Sequence, residues 1–257
     1  MATGRIRAML DACITSSGNF PPTILYNESW LLRLVLDWFY THKVPSYPLS
    51  FLDGAHWFSE AALPSQFLRS PEGARLAEGW SHADGVIGHF EIGKGHKIDL
   101  SLHSTGTQLV VLEAKMFSLL APKTSNISYY DQAARSVACV AELLARAGRS
   151  PSELSHLGFY VLAPASQIDK AVFAREMSRD YIRSKVEMRV NEYAKAGDRA
   201  KNEWYINQFL PTLQEIDLRT LKWEDMIKEI EGRDSVFARS IKTFYDRCVT
   251  FSRRRSL

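Results

Sequence analysis

The chain has 257 residues, of which 46% are hydrophobic and 24% are charged, and its formal net charge is +3 at pH 7. These values fit one soluble globular domain and exclude collagen-like, low-complexity and broadly disordered proteins, since Gly and Pro number only 14 and 10. No membrane-spanning helix is expected, because charged residues interrupt the longest apolar stretch, residues 24–40, and no signal peptide is expected either.

The cysteines and the overall charge indicate a cytoplasmic protein that is able, but not required, to bind nucleic acid. Cys13, Cys139 and Cys248 lie far apart and are odd in number, which argues against a disulfide framework or a zinc knuckle and suits a reducing compartment. The mild positive charge is compatible with a DNA partner, but a docking patch depends on local clustering of charge. The densest basic run, residues 253–255, is equally well explained by a solvated tail.

The first half of the chain predicts alternating helices and strands. In order, these are a helix over 27–40, strands over 84–92, 97–103 and 107–116, a helix over 129–147 and a strand over 157–163. Asn27 can cap the first helix, whose apolar residues recur at helical spacing. The three consecutive strands are separated by Gly-containing turns, which favours an antiparallel meander, and residues 41–80 predict irregular structure.

The second half predicts mostly helices. They are a charged helix over 171–197, a helix over 204–213 broken at Pro211, and two closing helices over 223–231 and 235–251, with an edge strand over 216–219. The whole order predicts an α/β domain whose sheet is wrapped by helices.

The residues that carry chemistry are Glu113 and Lys115, on the third predicted strand. Residues two apart on a strand share a face, so these charged groups project together from a strand whose other residues are apolar. A buried unpaired charge is unfavourable. One explanation is a structural ion pair or a strand face open to water. The other is a metal-dependent phosphodiesterase site, in which the carboxylate binds a divalent cation and the lysine orients the attacking water.

The order of these residues resembles the PD-(D/E)XK nuclease superfamily. The matching residues are Glu113-Ala114-Lys115 on the strand, Gln132 on the following helix, and Glu28 on the first helix. The resemblance implies a restriction-endonuclease-like core (helix, three-strand meander, helix, strand) over about residues 27–165, with helical C-terminal additions over about 166–257, in a single α/β domain.

The family pattern also includes an acidic residue on the preceding strand, and two candidates remain. Asp99 lies in the middle of its predicted strand, whereas Asp84 lies at the head of an earlier one. If Asp84 is the acid, the strand over 97–103 is an insertion in the meander. Gly85 and Gly88 slightly favour Asp84, because glycine allows backbone or ligand to approach closely.

The resemblance implies a magnesium or manganese site. Its ligands are Asp84, with Asp99 as the alternative, Glu113 and the Ala114 carbonyl, because such hard cations take oxygen donors. Lys115 then places the attacking water in line with the scissile phosphate.

Further polar groups surround this site in the predicted arrangement. Gln132 orients a water or a phosphate, and Glu28 holds a further water or a second metal ion. Contacts with the nucleic-acid backbone are expected from His82, Lys123 and Arg135.

The sequence therefore predicts a Mg²⁺-dependent nuclease that acts on DNA, and roles in restriction, phage defence or repair come from the resemblance alone. The alternative is a catalytically inactive binding or assembly protein that keeps the nuclease fold, with Glu113 and Lys115 as a structural pair. A hydrolase of small phosphorylated substrates is a third possibility and needs a closed pocket. A homodimer or a partner protein is expected only from the resemblance.

Overall fold

The computed structural model of the chain describes residues 2–12, 20–67, 76–93, 99–120 and 127–253. These residues form a mixed α/β structure in which helices pack on both faces of a five-stranded sheet. The helices are α1 (Ala2–Ala12), α2 (Glu28–His42), α3 (Gln132–Arg146), α4 (Ala165–Ile168), α5 (Arg179–Lys195), α6 (Ala200–Trp204), α7 (Leu210–Glu215), α8 (Trp223–Glu231) and α9 (Ser235–Arg253). The strands are β1 (His56–Phe58), β2 (Ala61–Leu63), β3 (Ser81–Ala83), β4 (Gly85–Gly88), β5 (Phe90–Ile92), β6 (Leu100–Leu102), β7 (Gln108–Ala114), β8 (His156–Ala163) and β9 (Asp217–Lys222).

The five-stranded sheet has the order β1-β4-β7-β8-β9. Strand β4 is antiparallel to both β1 and β7, whereas β8 runs parallel to both β7 and β9. Two short ribbons, β2-β3 and β5-β6, lie outside this sheet. Every residue of β7 is buried, as expected of a central strand with helices on both faces.

The two faces of β7 pack against different helices. Leu109 and Val111 belong to a core that includes α3 and α5, whereas Val110 and Leu112 belong to a core that includes α2, α8 and α9. Because successive strand residues point to opposite faces, the odd-numbered positions of β7 face α3. This alternation sets the side of the sheet on which the polar residues at the end of β7 lie.

The predicted first helix is confirmed as α2. The side chain of Asn27 accepts a hydrogen bond from the Trp30 N–H, which satisfies one of the free donors at the helix start. The predicted helix over 129–147 is observed as α3, and the strand over 157–163 as β8. These elements were predictable because their patterns are local.

The predicted meander of three neighbouring strands is wrong. The segment predicted over 84–92 is divided at His89 into β4 and β5, and β4 pairs directly with β7. Part of the segment predicted over 97–103 forms β6, which pairs with β5 in a separate ribbon, and its residues 97 and 98 lie outside the described residues. The third antiparallel strand of the sheet is β1, from the stretch predicted to be irregular.

The C-terminal region contributes to the sheet as well as to the helical layers. The predicted edge strand is confirmed as β9, and α8 and α9 supply core residues on the α2 face. The helix predicted from residue 171 begins only at Arg179, and Pro211 lies in the first turn of α7. In the described ranges, no helix combines the length and apolar character that crossing a membrane requires.

A chain of hydrogen bonds connects β7, β8 and β9 at one end of the sheet. The Gln108 side-chain amide lies 3.0 Å from Nδ1 of His156, whose Nε2 lies 2.9 Å from the Tyr160 hydroxyl. Tyr160 donates in turn to Asp217. The amide of Gln108 also donates to the Ser50 carbonyl, so it acts as a donor towards His156. A proton on Nδ1 of His156 would face that donor, and burial of the ring also lowers the pKa of His156.

This chain of hydrogen bonds predicts that the folded protein is less stable in mild acid. Because the pKa of His156 is lowered in the folded protein, the unfolded chain binds a proton more readily, and the free energy of unfolding falls as the pH drops below about 6.5. Denaturant unfolding at about pH 7.5 and pH 5.5 measures this fall. We expect a smaller fall for His156→Gln, which cannot titrate. An equal fall in both proteins would contradict the assignment.

Candidate functional site

Glu113 and Lys115 form a buried ion pair at the carboxyl end of β7. Glu113 lies on the α3 face of the strand, and Lys115 follows the strand's last residue. Their exposed fractions are 3% and 7%, and Lys115 Nζ donates to Glu113 Oε1 at 2.6 Å. The two side chains share a face, as strand periodicity predicts. Neither charge is left unpaired in the interior, where an isolated charge is strongly disfavoured.

Gln132 closes the pair into a triangle of hydrogen bonds. Its Oε1 accepts from Lys115 Nζ at 2.8 Å, and its Nε2 donates to Glu113 Oε1 at 2.5 Å. A primary amide suits this position because it is both donor and acceptor. Gln132 is held there as the first residue of α3, whose start is capped by Asp131 through a hydrogen bond from the Ala134 N–H.

Asp84 lies beside this triangle on the neighbouring strand. It precedes β4 directly, and the pairing of Gly85 with Leu112 places it opposite Glu113 in register. The Ala114 N–H donates to Asp84 Oδ2 at 2.8 Å. In an extended residue the N–H and C=O leave the strand on the same side, so the Ala114 carbonyl is also directed towards β4. The carboxylates of Asp84 and Glu113 and the carbonyl oxygen of Ala114 therefore lie at adjacent positions of the β4–β7 strand pair.

Asp99 lies elsewhere in the structure. It precedes β6 and lines a cavity together with Leu143 and Arg146, in the last turn of α3. Gln132 begins the same helix, and a rise of about 1.5 Å per residue puts these ends roughly 15–20 Å apart. The structure thus brings Asp84, but not Asp99, to Glu113 and Ala114.

Glu28 lies at the start of α2, on the opposite face of the sheet. It lines a cavity of about 230 Å³ that also includes Asn27, Met116 and Ser118. The wall of this cavity is therefore formed in part by the residues that follow Lys115 along the chain. Glu28 is half-buried and lies near the predicted site only through that segment.

The backbone of Lys115 is held from two sides. Its N–H donates to the Leu162 carbonyl of β8 at 2.8 Å, and its own carbonyl accepts from Trp223 Nε1 at 3.0 Å. Trp223 is fully buried at the start of α8. Sequence reasoning missed this residue, because a tryptophan on an amphipathic helix indicates only a core position.

A small cavity opens beside Glu113 on the α3 face. Its volume is about 160 Å³. The lining residues are Trp80, Ser81, His82, Glu113, Gln132, Arg135 and Ser136. His82 is exposed, whereas Arg135 is buried. Lys123, the third predicted nucleic-acid contact, lies outside the described residues.

Arg135 faces a buried carboxylate that sequence reasoning also missed. Arg135 Nε lies 3.2 Å from Glu78 Oε2, and the Glu78 side chain has no exposed surface. Burial raises the pKa of Glu78, while the hydrogen bond from Ser65 and the charges of Arg135 and Arg189 act in the opposite direction. Glu78 comes from the stretch predicted to be irregular, where no periodicity marked it.

The oxygen atoms around β7 suit a hard divalent cation. Among the described residues, no group of three or more His, Cys, Asp and Glu side chains is placed to hold a metal ion. Asp84, Glu113 and the Ala114 carbonyl offer two carboxylates and one carbonyl, and Mg²⁺ commonly binds one or two carboxylates and keeps several waters. The donor chemistry therefore fits Mg²⁺ or Mn²⁺.

Comparison with protein-family models, curated proteins and solved structures found no match to this chain.

Proposed function

We propose that this protein is a metal-dependent nuclease that hydrolyses DNA phosphodiester bonds with Mg²⁺ or Mn²⁺. The observation that carries the proposal is the hydrogen-bonded triangle of Glu113, Lys115 and Gln132, with Asp84 opposite Glu113 on the next strand. A carboxylate pair and a lysine at one end of a central strand form a suitable donor set for phosphodiester hydrolysis.

The order of elements supports a restriction-endonuclease-like core. A helix, three antiparallel strands, a helix and a parallel strand occur in this chain order as α2, β1, β4, β7, α3 and β8, with the ribbon β2-β3 between β1 and β4. In this proposal the ribbon β5-β6 is an insertion between the second and third strands of the core. The acidic residue of the family pattern is then Asp84, which precedes β4.

In the proposed site, Asp84, Glu113 and the Ala114 carbonyl bind the cation. The described hydrogen bonds to Glu113 both end on Oε1, so Oε2 would be available to a cation. When bound, the cation supplies Lewis acidity at a phosphoryl oxygen and lowers the pKa of a coordinated water.

Lys115 and Gln132 orient the reactants in the proposed mechanism. The Lys115 ammonium is held by Glu113 and Gln132 in a buried position, where a charge acts more strongly than in water. It donates to the attacking water or to the non-bridging phosphate oxygen and stabilises the negative charge that develops there. Gln132 keeps the ammonium in place, because its carbonyl oxygen accepts from Nζ.

A catalytically inactive binding protein with the same fold is the second candidate. The observation that favours it is the mutual hydrogen bonding of Glu113, Lys115 and Gln132, since a satisfied buried triangle also suits a purely structural role.

Metal binding tests the proposal directly. We expect Mn²⁺ to bind the wild-type protein in calorimetry and the affinity to fall at least about tenfold in Asp84→Asn and Glu113→Gln, because each loses a charged oxygen ligand. Asp99→Asn is the matched control and should bind like the wild type. The wild type and these three variants are then compared for cleavage of plasmid and single-stranded DNA.

Two results would contradict the proposal. If the wild type binds no Mn²⁺ with DNA absent or present, the nuclease assignment fails and the inactive binding protein becomes the better description. If Asp99→Asn loses the metal while Asp84→Asn keeps it, the acidic ligand is Asp99.

A further inference from the structure

The guanidinium of Arg135 retains unused hydrogen-bonding capacity next to the proposed metal site. Arg135 lines the cavity beside Glu113 and is only 5% exposed. Its Nε and Nη2 have no hydrogen-bond partner among the described residues, although Nε faces Glu78. A buried guanidinium with unpaired donors is unfavourable. Because Arg135 also lines the cavity, an anion bound there would lie against this guanidinium and offset its charge.

The carboxylates near Arg135 are each paired with a cationic side chain. Glu78 is shared between two guanidiniums, those of Arg135 and Arg189. Arg189 is fully buried and has a second acidic neighbour, Glu192, which is partly exposed. The carboxylate of Glu113, on another wall, is already paired with a lysine. Glu78, Glu113 and Glu192 each have a cationic partner among the described residues, so none of these three carboxylates would repel an anion in the cavity as an unpaired charge.

The size of the cavity limits the ligand. A volume of about 160 Å³ corresponds to roughly five water molecules at about 30 Å³ each, which accommodates a phosphate group but not a nucleoside. Ser136 also lines the cavity, whereas the Ser81 hydroxyl oxygen is buried and lies towards Cys139. Trp80, which is 42% exposed, also lines the cavity, and an exposed indole is a platform on which a base can stack.

We propose that this cavity binds the terminal phosphate monoester of a DNA strand and so directs the nuclease to strand ends. A terminal monoester has three free oxygens and one substituent, so it can enter a recess to reach a buried guanidinium. An internal phosphodiester carries a sugar on each side, and both sugars would have to extend out of the recess. Arg135 and Ser136 then face the free oxygens.

The cleavage step of this inference rests on the proposed nuclease function, whereas the binding of a strand end does not. Because Glu113 lines the cavity, a bound end places the adjacent diester at the proposed metal ligands. Hydrolysis there adds water across one P–O bond, with the oxygen going to phosphorus and the proton to the departing sugar oxygen. No other reactant is needed.

Binding of DNA with different ends tests the cavity without requiring catalysis. Fluorescence anisotropy in EDTA compares internally labelled single strands of about 12 nucleotides that carry a 5′-phosphate, a 3′-phosphate or hydroxyls at both ends. We expect one phosphorylated strand to bind the wild type about tenfold more tightly than the hydroxyl-ended strand, and the two phosphorylated strands identify which end is bound.

Three variants test which residues cause the tighter binding of a phosphorylated strand. The double variant Glu78→Gln/Arg135→Gln removes the guanidinium without leaving a buried carboxylate and should abolish the preference. Ser136→Ala, which leaves the buried ion pair intact, should weaken it. Arg146→Gln, on the same helix but 55% exposed, is the matched control and should keep it. Equal or undetectable binding of the three strands to the wild type, or a preference that survives in the double variant, overturns the proposal.

Cleavage of closed circular and linear DNA with Mn²⁺ separates the two proposals. An end preference without cleavage supports the cavity and contradicts the nuclease function. Cleavage of closed circles as fast as linear DNA, together with equal binding of all ends, contradicts the cavity and leaves the nuclease function standing.

Discussion

If the proposed mechanism holds, Lys115→Met lowers the rate of DNA cleavage by about 10²–10³-fold, because it removes the buried ammonium proposed to stabilise charge on the phosphate. The same change leaves the Glu113 carboxylate, which is 3% exposed, without its ion-pair partner. Breaking a buried pair from one side lowers the free energy of unfolding by about 3 kcal/mol. Cleavage rates at saturating Mn²⁺ and urea unfolding measure the two effects.

The double variant Glu113→Gln/Lys115→Met separates chemistry from stability. It replaces both charges by neutral groups of similar size, so we expect it to recover most of the lost stability while remaining inactive. If Lys115→Met cleaves DNA at the wild-type rate, the role of Lys115 is only structural. Recovery of cleavage in the double variant would show that the loss in the single variant came from unfolding.

Gly88→Ala is expected to lower the free energy of unfolding by about 3 kcal/mol. Gly88 ends β4 at a φ of +156°, and a Cβ there would overlap the Gln108 carbonyl oxygen of the central strand. That carbonyl also accepts the His89 N–H at 3.0 Å, so it cannot move without losing a hydrogen bond. Gly88 is thus the point at which the chain leaves the main sheet.

Gly232→Ala is the matched control for this prediction. Gly232 has a φ of −63°, and a Cβ there would meet the Glu229 oxygen at an ordinary contact distance of 3.6 Å. We expect its midpoint of denaturation to stay close to that of the wild type. If Gly88→Ala were as stable as Gly232→Ala, the close packing of β4 on β7 would not be what sets the strand break at His89.

Local signals predicted the elements that position the site. Asn27 caps α2 because its side chain bonds the backbone three residues ahead. Glu113 and Lys115 lie on one face of β7 because strand side chains alternate. The helix that begins at Gln132 was predicted from its own periodicity. Each of these properties depends on residues within a few positions of each other.

Tertiary structure decided the partners of these elements. Alternation did not indicate that β1 pairs with β4, or that β6 leaves the main sheet, because strand pairing depends on contacts between distant residues. That pairing separates Asp84, opposite Glu113, from Asp99, at the far end of α3.

The buried arginine beside the site was likewise beyond a sequence prediction. Arg135 was predicted as a contact with the nucleic-acid backbone because it lies one helical turn beyond Gln132. Its burial depends on Glu78, which lies 57 residues earlier in the sequence numbering and faces it only after folding. The sequence by itself determined α2, α3, β8 and the charged pair at the end of β7. Only the folded structure decided which acidic residue lies opposite Glu113 and which basic side chain lines the cavity. Both depend on how distant segments of the chain pack together.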